Sequence, residues 1–226
     1  MAMPVHDEEQ RALTVQPVRG DDPALVDFVW RARRLSFDPA VTLPAYGDHL
    51  LNPELAPGDG HKPRTAAVLF ALSTDEAGNL SLILTERAAH LSAHAGQIAL
   101  PCGKIEPGES AVAAALREAR EEVALPPEAL SVVGVAPSYL TRTGFLVFPV
   151  LAVVDKGATL APDPGEVACA FLAPYRHVMT LTNHRKVEVV REGWPRTYVE
   201  VMVGRRRVWG VTAGILRLIH EKLYAS

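Results

Sequence analysis

Cysteine is almost missing from the 226 residues: only Cys102 and Cys169 occur. Two thiols so placed make neither a zinc-ligand spacing nor a disulfide framework. Small cross-linked secreted scaffolds are therefore excluded, and a reducing, cytoplasmic setting is expected. An excess of one charge sign is lacking too. Lys and Arg number 23 against 26 Asp and Glu, a formal net charge of −3, so broad binding to nucleic acid is not expected. Long apolar runs are also scarce. The longest, Phe145–Val154, is interrupted by Pro149 and is too short to span a bilayer. The opening MAMPVHDEEQ is acidic and has no apolar stretch, so it does not read as a secretory signal.

With 48% hydrophobic and 22% charged residues, the composition fits a soluble globular domain with a sizeable core. One stretch organises it: GKIEPGESAVAAALREAREEVAL, residues 103–125. It opens as a Gly/Pro loop. After Ser110 it becomes rich in Ala, Leu, Glu and Arg, with no Gly or Pro until Pro126, which predicts a helix. Val112, Leu116, Ala119 and Val123 recur at helical spacing and share a face. Glu118, Glu121 and Glu122 share another, well over a right angle away at about 100° per residue. Three carboxylates on one face repel one another. They read either as a solvated charged face or as a site for a hard divalent cation, Mg²⁺ or Mn²⁺, whose charge removes that repulsion.

The remainder reads as strands around this helix. Residues 1–20 are polar and expected to be frayed. Asp21 or Asp22 caps a short helix running to about Arg34, and residues 38–64, with five prolines and three glycines, form a connection lying on the domain. Strands are predicted at Thr65–Leu72, Ser81–Arg87, Gln97–Leu100, Leu130–Ala136, Phe145–Val154, Ala168–Leu172, Arg185–Val190 and Thr197–Val203. Pro137–Gly144 reads as a loop and Arg205, Arg206 and Arg207 as turn residues. A last helix, Ala213–Tyr224, carries Ile215, Leu218, Ile219 and Leu223 as a core or homodimer stripe.

Gly103, Glu109, the pair Arg117-Glu118 and the pair Glu121-Glu122, with Ala119 and Leu125, resemble the Nudix box. The box's second Gly is replaced by Ala124. Directly before it, Leu84-Thr85, Arg87, Leu91, His94, Gly96-Gln97 and Pro101-Cys102-Gly103 resemble the coenzyme A pyrophosphatase subfamily, with Cys102 where that subfamily has Gly. The resemblance implies an α+β Nudix fold, a mixed β-sheet sandwiched between helices (α/β/α). Residues 64–226 would form the domain and 1–63 an arm packed on it. It implies Glu118, Glu121 and Glu122, beside Gly103, as the metal site for Mg²⁺ or Mn²⁺, with one of them or Glu166 activating the water. Glu109 and Arg117 would hold loop against helix. Arg87, His94 and Gln97 would meet the substrate phosphates, Thr143-Gly144-Phe145 would form a substrate loop, and Arg205–Arg207, otherwise turn residues, are candidates to meet the 3′-phosphate of coenzyme A. The implied activity is hydrolysis of the diphosphate of coenzyme A or its thioesters. The alternatives are a Nudix enzyme for another nucleoside diphosphate derivative and a Nudix module that binds without turnover. If the usual Gly at position 102 needs positive φ, Cys102 is strained.

Overall fold

The computed structural model describes residues 13–35, 46–55, 62–191 and 193–225. Much of the proline-rich 38–64 connection lies outside the described residues. In chain order, β1 (Leu13–Val15), α1 (Pro23–Ala32) and β2 (Tyr46–Gly47) precede the long pair β3 (Arg64–Thr74) and β4 (Leu80–Arg87). Two short strands, β5 (Ile98–Ala99) and β6 (Cys102–Lys104), lead into α2 (Ala111–Val123). Then come β7 (Leu130–Val135), β8 (Tyr139–Leu140), β9 (Phe145–Val154), β10 (Ala158–Leu160), β11 (Val167–Pro174) and α3 (Tyr175–Met179). The chain closes with β12 (Arg185–Arg191), β13 (Trp194–Val203), β14 (Arg206–Trp209) and α4 (Val211–Tyr224).

The main sheet is mixed. β3 runs parallel to β9 and antiparallel to β4, β4 pairs with β11, and β8 and β2 extend the other side. The apolar run of β3 is explained by burial on both faces, which removes the usual in–out alternation. Ala67, Leu69 and Ala71 face α2, where Ala114, Ala115, Ala119 and Val123 meet them. Val68, Phe70 and Leu72 point the other way, toward Phe28 of α1 and Ile215, Leu216 and Ile219 of α4. Two cores therefore sandwich the sheet between helices. The stripe Ile215, Leu218, Ile219 and Leu223 belongs to the second core, not to an open surface.

Three details differ from the sequence expectations. Residues 13–20 are not frayed: β1 pairs with β10, and Gln16 bridges to Thr74. The Gly/Pro loop at the start of the box carries strand β6 on β3, and the 137–144 loop contains β8. Arg206 and Arg207 lie in a strand, with only Arg205 left in the turn. Each of these strands is too short to show periodicity, and each exists because a longer strand elsewhere in the chain offers it a partner.

Helix α2 begins where expected. Ser110 caps it, accepting from the Ala113 N–H at 3.1 Å. It ends on Ala124 with φ 54° and ψ 26°, the left-handed conformation that glycine normally takes at this position. Replacing Ala124 by Gly should therefore stabilise the protein by about 1 kcal/mol. Calorimetry should show the melting temperature rising by about 2–4 °C; no rise would mean that the left-handed turn costs nothing here.

Candidate active site

The acidic helix is held to its loop by Arg117. Its Nε and Nη2 donate to the two oxygens of Glu109 at 2.9 and 3.1 Å. Nη2 also donates to the Lys104 carbonyl at 3.0 Å, and Nη1 reaches Glu118 and Glu121 at 2.8 and 2.9 Å. Such a planar fork of donors suits a pair of carboxylates better than a Lys would. The hydrogen bonds from Arg117 hold the Glu109 carboxyl below the usual carboxylate range.

The three helix carboxylates are not equivalent. Glu121 is exposed and turned onto Arg117. Glu118 is largely sheltered, and burial pushes its pKa up against the pull of Arg117. Glu122 is only 2% exposed. Its Oε2 accepts from the Cys102 backbone N–H at 3.1 Å, and its Oε1 lies 4.0 Å from Arg87 Nη1. Burial drives its pKa up to about 8; Cys102 N–H and Arg87 work against that, and the charges of Glu118 and Glu166 add to it. The buried face of α2 is thus rotated from the Val112–Leu116 stripe read in the sequence. Its centre is Ala115, Ala119, Glu122 and Val123, with Val112 and Leu116 only partly buried at its edge. Small alanines let the helix approach β3 closely, and that brings Glu122 beneath the loop.

Gly103 is built for that approach. A Cβ there would stand 1.9 Å from the Glu118 carboxyl carbon, closer than any atoms tolerate. Beside it, Cys102 is not among the positive-φ residues and sits in β6, so the strain considered at that position does not arise. Its thiol is pushed up to about 12, mainly by burial and then by Glu122, which leaves it protonated and a poor nucleophile.

Glu166 lies just before β11, where Val167 pairs with Arg87, and its charge is felt by Glu118, Glu122 and Cys102. Among the described residues, no three His, Cys, Asp or Glu side chains converge as a ready ligand set; Glu118 and Glu121 are both paired with Arg117. The donor chemistry still fits a hard divalent cation. A buried carboxylate with a raised pKa, two more beside it, and a backbone with no Cβ at the point of contact are what such an ion uses.

Beyond Cys102 and Gly103 opens a cavity of about 620 Å³. Its near wall is the sheet face at Ala66, Val68, Phe145 and Val147. Arg87, His94 and Gln97 all reach it. Arg87 Nε is buried with no partner among the described residues. His94 holds φ 60°, and its Nδ1 is hydrogen-bonded to Gln97 Oε1 at 2.9 Å. A non-Gly residue in that region marks a position the surroundings enforce. The Thr143 and Phe145 positions of the expected substrate loop also line the cavity. The arginines at 205–207 do not: Arg206 is taken up by Glu86 at 3.4 Å and Arg207 by Glu200 at 3.7 Å.

The far wall was not legible as a site in the sequence. It comes from Asp48 and Asn52, upstream of β3, and from Arg196 and Tyr198 of β13, Trp209 of β14 and Ile215 of α4. Asn52 behaves like a piece of strand. Its Nδ2 donates to Thr197 O and its Oδ1 accepts from Thr197 N, both at 2.8 Å. No local motif announces such a residue; the only signal is a polar side chain embedded in a proline-rich arm.

The NUDIX domain profile matches residues 62–192, more than half of the chain. This chain belongs to the Nudix family. It is 37% identical over 174 residues to an uncharacterized Nudix hydrolase, NudL, of Cronobacter sakazakii, covering 74% of this chain and 86% of that one. The NudL of Citrobacter koseri matches over the same shares at 37%. Among solved structures, a Nudix hydrolase of M. smegmatis, RenU, aligns over 51% of this chain and 73% of its own at 25% identity and a TM-score of 0.44. The protein is accordingly a Nudix pyrophosphohydrolase of α+β fold. Nudix hydrolases in general use divalent cations and act on small nucleoside diphosphate compounds. Among the described residues, no helix is long and apolar enough to cross a membrane.

Proposed function

We propose that this Nudix protein hydrolyses the diphosphate of coenzyme A or its thioesters, releasing 3′,5′-ADP and 4′-phosphopantetheine or its acyl form. The observation that carries the reading is one juxtaposition. Arg87, His94 and Gln97 meet on the wall of a roomy cavity whose base is the Cys102–Gly103 strand over Glu118 and Glu122. The cavity combines aromatic and aliphatic walls with a few charged groups, as a site for a long, amphipathic nucleotide would.

Glu118, Glu121 and Glu122 would hold Mg²⁺ or Mn²⁺ beside Gly103. When bound, the cation neutralises charge on the diphosphate and acidifies a water. Glu166 or one of the helix acids would take a proton from the attacking water as its oxygen forms a bond to one phosphorus and the bond from that phosphorus to the bridging oxygen breaks. The unpartnered Nε of Arg87 binds a phosphate oxygen and so stabilises developing charge. The His94–Gln97 pair shapes the turn against which the phosphates rest. Glu109 and Arg117 fix the loop to the helix and touch no substrate.

The test is a panel of coenzyme A, ADP-ribose, NADH and diadenosine polyphosphates, with products identified by mass and kcat/KM measured for each. Coenzyme A or a thioester should lead the panel. A clear preference for another member would leave the diphosphate hydrolase and remove the proposed substrate.

A further inference from the structure

Glu166 owes its place to the turn before it. Asp163-Pro164-Gly165-Glu166 is a β-turn, closed by the Glu166 N–H donating to the Asp163 carbonyl at 2.9 Å. Proline fixes φ at the second position of such a turn. Asp163 Oδ1 accepts from the Gly165 N–H at 2.8 Å, which holds the turn through a side chain as well. The Asp163 carbonyl also accepts from the Val167 N–H at 2.8 Å. Three successive N–H groups therefore converge on one residue.

Asp163 is itself docked on the acidic helix. The last carbonyls of a helix have no partner within it. At the end of α2, the Glu122 carbonyl accepts from the Asp163 N–H and the Val123 carbonyl from the Ala161 N–H, both at 2.9 Å. On its other side the turn is tied to the end of β4. The Glu166 carbonyl accepts from the Ala88 N–H at 2.9 Å, one residue beyond Arg87, and the Gly165 carbonyl lies 3.2 Å from His90 Nε2. The backbone of Glu122 and the turn that presents Glu166 are thus joined through Asp163.

The backbone of Glu166 is fixed, whereas its side chain is exposed and has no hydrogen bond or ion pair among the described residues. The acids of α2 differ in this respect. Glu118 and Glu121 are paired with Arg117, and Glu122 accepts from the Cys102 N–H. We propose that Asp163 is the positioning residue of the proton acceptor: it holds Glu166 at a set offset from Glu122, so that Glu166, rather than an acid of α2, receives the proton of the attacking water. Asp163 does not line the cavity and acts through Glu166. The proposal rests on the diphosphate-hydrolase reading and selects one base within it.

The experiment measures kcat and KM of the full chain with Mg²⁺ on coenzyme A, or on whichever diphosphate of the panel is cleaved. The variants are Asp163→Ala, Asp163→Asn, Glu166→Gln, and Asp163→Ala combined with Glu166→Gln. Asp163→Ala should lower kcat about tenfold and leave KM within about twofold, because it displaces a reacting group without touching the substrate. Asp163→Asn keeps an oxygen for the Gly165 N–H and should recover most of the loss. In the Glu166→Gln background the change to Ala should cost nothing further. A readout apart from turnover is amide hydrogen exchange in EDTA. Residues 165–167 should exchange about fivefold faster in Asp163→Ala, with α2 unchanged. Asp163 is exposed, so the variant should keep its fold.

An Asp163→Ala variant that matches the wild type in kcat or in exchange overturns the proposal. So does a loss that Asn does not recover, or an equal loss with and without Glu166. If Glu166→Gln turns over like the wild type, the base assignment and Asp163 fall together, and the hydrolase stands. If another diphosphate is cleaved in place of coenzyme A, the proposed substrate falls, and the expected pattern of losses on that compound upholds Asp163.

Discussion

Glu122→Gln should lower kcat about a thousandfold, because the cation that Glu122 is proposed to hold would supply several kcal/mol of transition-state stabilisation and each 1.36 kcal/mol is a factor of ten. The same change should stabilise the metal-free protein. The Gln amide oxygen can still accept from the Cys102 N–H, and the charge that burial opposes is gone. Here the sign matters. The folded-state pKa of about 8 is above the 4.5 of the unfolded chain. Stability from the protonated form is therefore fully present below 4.5 and is lost as pH rises toward 8. In EDTA, the variant and wild type should melt together near pH 4, and the variant should melt higher by pH 8.5. A wild type that matches the variant at both pH values would mean that Glu122 is not an uncompensated buried acid. Unchanged turnover would remove it from the site altogether.

Gly103→Ala should cost about a hundredfold in kcat, although it adds one methyl group and no charge. The new Cβ would fall 1.9 Å from the Glu118 carboxyl carbon, so Glu118 must swing away. Displacements of about 1 Å in a positioned group are enough for a loss of that size. Overpacking would add about 1–3 kcal/mol of destabilisation. A double-mutant cycle isolates the cause. In a Glu118→Ala background, the further change Gly103→Ala should cost little, because the clashing carboxylate is gone. If the two losses simply multiply, the glycine serves something other than Glu118.

The part of this site written in local pattern was readable in advance. Helix α2 was legible from the uninterrupted helix formers after Ser110 and from Pro126 beyond them, because propensity acts within a few residues. The spacing of Glu109, Arg117, Glu118, Glu121 and Glu122 was readable for the same reason. That Glu122 is buried was not. The helical spacing groups it with Glu118 and Glu121, well over a right angle from the apolar stripe, whereas the close approach of alanines to β3 brings it under Cys102. The short strands β1, β6 and β8 were invisible because a two- or three-residue strand is defined by its partner. The far wall of the cavity depends on contacts such as Asn52 with Thr197, which are 145 positions apart. Position 124 shows the converse case. Ala stands where the box has Gly, and Ala124 adopts the left-handed conformation that glycine takes without cost.

The central claim, cation-dependent cleavage of a coenzyme A diphosphate at these carboxylates, is tested most directly by hydrolysis in ¹⁸O-labelled water. Purified protein would be incubated with coenzyme A, with Mg²⁺ or with EDTA, and the products weighed. The account predicts 3′,5′-ADP and 4′-phosphopantetheine, one ¹⁸O in one of the two new phosphates, and no product in EDTA. Cleavage that persists in EDTA, label found elsewhere, or intact coenzyme A beside rapid cleavage of another diphosphate would contradict it.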